Sequence, residues 1–172
     1  MELRNKRIIV LSVLSIVTYI VENFLPYPII FLRIGVGNAF IVATFYLVDI
    51  KGAAVVLFMK LVVGSIISGR FLTPFFLFSL SGSLFSFLAM SLFFRITTFF
   101  SPVGISTIGA VFHNIGQMIV LFFYYGIGII EKWFMFLWYF GILSGIITGI
   151  IALYIIRSDI ERWLQKRIST TY

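Results

Sequence analysis

The sequence predicts an all-α integral membrane protein: one domain over residues 1–172, built as a bundle of six transmembrane helices with both termini in the cytoplasm. Three observations carry that prediction. The chain is 61% hydrophobic and 11% charged, with a mean hydropathy of +1.13, far more apolar than the core of a soluble domain requires. Long apolar runs recur, separated by short segments of proline, glycine and charge. The basic residues gather in the segments that six spans would place on one side of a bilayer.

Each element follows from local signals. Arg4, Lys6 and Arg7 lead into a first run, residues 8–25. In outline it is like a secretory signal, but no small-x-small cleavage site follows it, so it is expected to stay as a span. Pro26-Tyr27-Pro28 stops that helix, because proline lacks an N–H and pushes its neighbour out of the α region. The second span, 34–48, covers roughly 22 Å at 1.5 Å per residue, against a hydrocarbon core of roughly 30 Å. Either it begins near Ile29 and carries Arg33 inside, or Leu25 to Arg33 forms a cap dipping into the protein. Both versions put Arg33 and Asn38 near the interior.

Asp49-Ile50-Lys51-Gly52 forms a polar turn, and the third span, 53–69, holds Lys60 near its centre. The fourth, 74–94, has the small residues Ser79, Ser81, Gly82 and Ser83 in its middle third. Ser101 and Pro102 start the fifth, 102–125, as N-cap and first helical residue. A loop, GIGIIEK, leads to the sixth span, 133–156, and a basic amphipathic tail, 157–172, follows.

Charge orients the bundle. Six spans put Arg4, Lys6, Arg7, Lys51, Arg95, Arg157, Arg162, Lys166 and Arg167 on one side and Arg33, Arg70 and Lys132 on the other. The first side is therefore the cytoplasmic face of the cell membrane. Trp133, Trp138 and Trp163 suit interfacial positions. The formal charge of +7 sits mainly beside apolar spans, which favours a lipid bilayer over nucleic acid as the partner.

Much chemistry is excluded. Cysteine is absent, so there is no disulfide, thiolate site or cysteine nucleophile. No GxxxxGK[ST] is present to bind ATP phosphates. The two aspartates, Asp49 and Asp159, lie far apart, and no acidic cluster could hold magnesium against a diphosphate. His113 alone makes a poor metal site. No catalytic residue, cofactor or metal is expected.

Binding is better served. His113 and Gln117 are spaced i,i+4, and Asn114 and Gln117 i,i+3, so the three share one face of the fifth span. In lipid that face must meet protein or a water-filled cavity. Lys60 at a helix centre costs about 2.5–3.5 kcal/mol on insertion scales. No carboxylate is placed at the membrane centre to balance it, so an anionic or acceptor-rich ligand is expected to supply the counter-charge. The expected binding set is Arg33, Asn38, Lys60, Arg70, His113, Asn114 and Gln117. The competing readings are interhelical glue for the polar trio, snorkelling for Lys60 and headgroup anchoring for Arg33 and Arg70. Gly141, Gly145 and Gly149 form an i, i+4, i+8 stripe suited either to packing within the chain or to a docking face. Ala39 and Ala43 make a weaker stripe of the same kind.

The order FLRIGVGN, a third span with a central lysine ending in SG, then LFSLSGSLFSFLAM and FSPVGISTIGAVFHNIGQ resembles the Gx transporter family, also labelled heptaprenyl diphosphate synthase component I. That family is similar to the S components of energy-coupling factor transporters. The resemblance covers about Ile8 to Ile156. It implies a small six-helix protein that binds a vitamin or precursor outside and passes it inward with a transmembrane coupling subunit and two ATPases. Where S components present an alanine stripe on the first helix, this chain has Ser12 and Ser15. The leading expectation is an S-component-like uptake subunit for a small anionic metabolite. The alternatives are a non-catalytic membrane subunit of a prenyl diphosphate or quinone pathway or of a membrane redox system, and a stand-alone carrier or channel.

Overall fold

A computed structural model describes residues 1–24, 35–96 and 100–169, with residues 129 and 160–169 described by backbone alone. The described chain is helical throughout: α1 (Glu2–Phe24), α2 (Gly37–Leu47), α3 (Ile50–Ile67), α4 (Pro74–Ile96), α5 (Pro102–Tyr125) and α6 (Ile127–Ser169). Five of these are long and apolar enough to cross a membrane. The expected cap over Leu25 to Arg33, the alternative helix start near Ile29 and Arg33 itself lie outside the described residues.

α2 departs from the expected second span. It has 11 residues, roughly 16 Å, about half a hydrocarbon core. Ala39, Ile41, Val42, Ala43, Thr44 and Phe45 cover nearly every side of it and are all buried. A helix that is apolar all round belongs inside a bundle rather than against lipid. α2 packs against α1, α3, α5 and α6 and so forms the central post. Ala39 and Ala43 are fully enclosed by the chain's own helices.

α5 matches its expected bounds because its caps are local. Ser101 Oγ accepts from Gly104 N at 3.2 Å, Pro102 follows, and Gly126, at φ 76°, ends the helix. The expected GIGIIEK loop is a difference: Gly126 suffices for the turn, and the next residues are already helical. The tail is likewise continuous with α6, whose 43 residues reach roughly 65 Å, longer than any bilayer core.

α5 packs most extensively against α6 and α4. Gly145 and Gly149 make the first seam possible, since a Cβ on either would stand 2.5 Å from the Cα of Thr107 or Val103. Gly141 faces α5 as well, beside Asn114. The glycine stripe is thus an internal seam.

Polar contacts tie the two ends. At one end Arg4 pairs with Asp49 at 2.9 Å, Arg7 bonds Asp159 and the Leu47 carbonyl, and the Tyr46 hydroxyl donates to Phe100 O. The Gly52 N–H and, next, Arg4 hold the Asp49 carboxyl below the usual carboxylate range. At the other end Arg70 donates to Asn23 O, Asn23 donates to Ser68 Oγ, and the Val36 N–H donates to Glu22. The first end carries Arg4, Lys6, Arg7, Lys51, Arg95 and Arg157 and is called the basic end below.

Candidate functional site

The side chains that converge do so because each helix offers a polar residue at one level, and small residues opposite give it room. On α3, Lys60 is 4% exposed, runs past Gly37 and donates from Nζ to Asn38 Oδ1 at 2.5 Å. On α5, His113 Nε2 lies 3.3 Å from Gln117 Nε2, the i,i+4 contact expected of one helical face. A Cβ at Gly82 of α4 would strike the His113 ring at 2.7 Å, so that glycine is the seat of the imidazole. Asn114 turns to α6, donating to Leu137 O at 2.5 Å. Tyr19 of α1 lies over Gly64, with its hydroxyl 3.2 Å from Ser65 Oγ and its ring 6.0 Å from the Lys60 ammonium.

These groups line one cavity among all six helices. It runs from Gly35, Glu22 and Phe75 near the end away from the basic residues, past Lys60, Asn38, His113 and Gln117, to Ser86, Ser106, Ser144 and Thr148. The deep hydroxyls are satisfied locally: Ser106 and Thr148 lie 2.7 Å apart, and Thr148 donates to Ser144 O. Below them an aromatic cluster fills the basic end. Phe45 sits 5.6 Å from Phe87 and 5.3 Å from Phe94, and Phe94 meets Tyr46 at 5.1 Å. The cavity holds about 60 Å³, room for a few waters at roughly 10–15 Å³ each.

Of the expected binding residues, the structure brings Asn38, Lys60, His113, Asn114 and Gln117 to this cavity. Arg70 is elsewhere, holding Asn23 O with its guanidinium 5.3 Å from the centre of the Phe75 ring. Arg33 is outside the described residues. One correction concerns charge. No carboxylate was expected to balance Lys60, yet Glu22, in the last turn of α1, is 6% exposed and lines the same cavity. Lys60 therefore shares its surroundings with a carboxylate, and a ligand need not supply the whole counter-charge. The missed contributors are Tyr19, Ser83, Ser86, Ser106, Ser144 and Thr148. Singly, a hydroxyl in an apolar helix is unremarkable, since it can bond its own i−4 carbonyl.

The model of the heptaprenyl diphosphate synthase component I family matches residues 11–155, from the first helix to the end of the apolar part of the last. The chain belongs to this Gx transporter-like family. No curated protein and no solved structure matches it. The matched region contains every described residue of the cavity. The family description names a component of a synthase, whereas the cavity's side chains offer hydrogen bonds and one lysine–carboxylate combination. Among the described residues no group of three His, Asp or Glu side chains gathers to hold a metal.

Proposed function

We propose that this chain is the substrate-binding membrane subunit of an uptake system for a small, acceptor-rich or anionic metabolite. It works with a separate coupling subunit and ATPases, in the cytoplasmic membrane, with the basic end and both termini inside. The observation that supports this most is the polar cavity reached from all six helices and backed, toward the basic end, by the Phe45, Phe87 and Phe94 cluster. Such an arrangement suits binding from one side with the other side shut. Asn38 and Lys60, with His113 and Gln117, are the residues proposed to contact the ligand. Pockets for drug-sized ligands run to roughly 300–1,000 Å³, so a cavity of about 60 Å³ has to widen to admit a metabolite.

No P-loop is present to drive accumulation. Purified alone into liposomes, the protein should retain a ligand yet not concentrate it. Uphill uptake by the lone chain under a proton or sodium gradient would instead establish a stand-alone carrier. A cysteine placed at Lys132 of this cysteine-free chain should label from outside the cell; labelling only from the cytoplasm would overturn the orientation. The family description favours a second reading, a non-catalytic membrane subunit of a prenyl diphosphate pathway. That reading expects a co-purifying synthase subunit and no retained small molecule.

A further inference from the structure

Outside the central cavity, a second pocket carries charged side chains on its rim. It is a groove between α1 and α6 at the basic end, offering about 360 Å³ and walled by Val10, Leu14, Phe40 and Tyr154. Among the described residues α1 and α6 do not pack on one another, and α2 supplies the floor. The span across its top is the Arg7–Asp159 ion pair, at 2.5 Å. Val10 and Leu14 are exposed, as is Tyr154 at 76%, so the groove is open along its side.

Its polar rim is unbalanced. The charged lining residues are Lys6, Arg7 and Asp159, two cations against one anion. Lys6 reaches Glu2 in a largely exposed i,i+4 pair, a contact of the kind that is easily exchanged. Arg7 is more committed: its two terminal nitrogens go to Leu47 O and Asp159. Its Nε is buried, with no acceptor among the described residues. A charged donor in that state is costly, and a phosphate oxygen relieves it once the guanidinium turns its Nε toward the groove.

We propose that this groove binds an anionic phospholipid of the bilayer, with phosphate oxygens accepting from Arg7 and Lys6 and an acyl chain along Val10, Leu14 and Phe40. Apolar walls beneath a cationic rim are the complement of such a molecule, and basic pockets between helices are known to take anionic headgroups. Tyr154 is placed to line the chain's open side. The site is independent of whatever the central cavity binds.

The test uses the full chain in mild detergent, titrated with phosphatidylglycerol or phosphatidylcholine and read by native mass spectrometry and thermal melting. Wild type should bind and be stabilised by phosphatidylglycerol at least tenfold more tightly than by phosphatidylcholine, the effect of one charge-assisted bond. Arg7→Gln should abolish that preference. Because Arg7 also bridges helices, Asp159→Asn is the control. It breaks the same bridge while removing the rim's anion, so the preference should persist or grow. Equal binding of both lipids by wild type, or loss of the preference in Asp159→Asn as complete as in Arg7→Gln, would overturn the proposal. So would preference for a prenyl diphosphate over phosphatidylglycerol.

Discussion

Toward Glu22, Gly35 and Arg70 the helices meet through hydroxyls, amides, a lysine and a carboxylate; toward Arg4 and Asp49 they meet through Phe45, Phe87 and Phe94. The polar half satisfies many of its groups internally, as Lys60 with Asn38, Ser106 with Thr148 and Asn114 with Leu137 O show. It can therefore form without a ligand. The aromatic half offers close packing, which is what holds helices together when the surrounding lipid is as apolar as the side chains. The difference teaches that stability and binding are separable here, with loss of packing acting on the first and loss of polar groups on the second.

The largest effect should come where one seam serves both halves. Gly145→Leu puts a side chain against the Thr107 backbone, which has no flexible end to yield. α5 and α6 must part, and the folded protein should lose upward of about 4 kcal/mol. Unfolding in mixed detergent would measure it. A stable Gly145→Leu protein would show that the seam is dispensable.

Phe45→Ala comes next. Phe45 is 2% exposed and in ring contact with two phenylalanines, so about 3 kcal/mol of stability should go. Since Phe45 is not among the cavity's lining residues, ligand affinity should hardly change. A large fall in affinity with unaltered melting would erase the proposed division between the halves.

Smallest is the Arg4–Asp49 pair on the basic end, two largely exposed groups worth about 1 kcal/mol or less. The Asp49 carboxyl is held low by the Gly52 N–H and Arg4. Its stabilisation is therefore present above the unfolded carboxyl pKa of about 3.9 and lost as pH falls through the lower folded value. Melting curves of wild type should show a steeper acid-side decline below about pH 4 than those of Asp49→Asn. Identical curves would remove the pair from the account.

How much of this was legible in the residues depends on whether the cause was local. α5 could be bounded because Ser101, Pro102 and Gly126 act within a turn, and the shared face of His113 and Gln117 follows from helical spacing alone. Lys60 stood out by its cost in lipid. The deep hydroxyls did not, because a serine's direction depends on which helix packs beside it. That Glu22 shares the cavity with Lys60 was hidden for the same reason, since its inward turn to Val36 N depends on how α1 packs. α2 was too long because hydropathy cannot separate a helix in lipid from one enclosed by its neighbours. The α5–α6 connection was too long because one glycine at positive φ can replace a loop.

The central claim is that the cavity around Lys60 holds a small polar ligand. Its most direct test is mass spectrometry of the small molecules retained by the protein purified in mild detergent, with wild type compared against Lys60→Met. The account predicts a molecule bound by wild type and weakened roughly 10- to 150-fold by the substitution, the loss of a charge-assisted bond of about 1.5–3 kcal/mol. The melting temperature of the empty protein should move by no more than about 2–4 °C. If Lys60→Met and Gln117→Leu both lower the melting temperature further while retention of the molecule is unchanged, the polar cluster is structural and the account is contradicted.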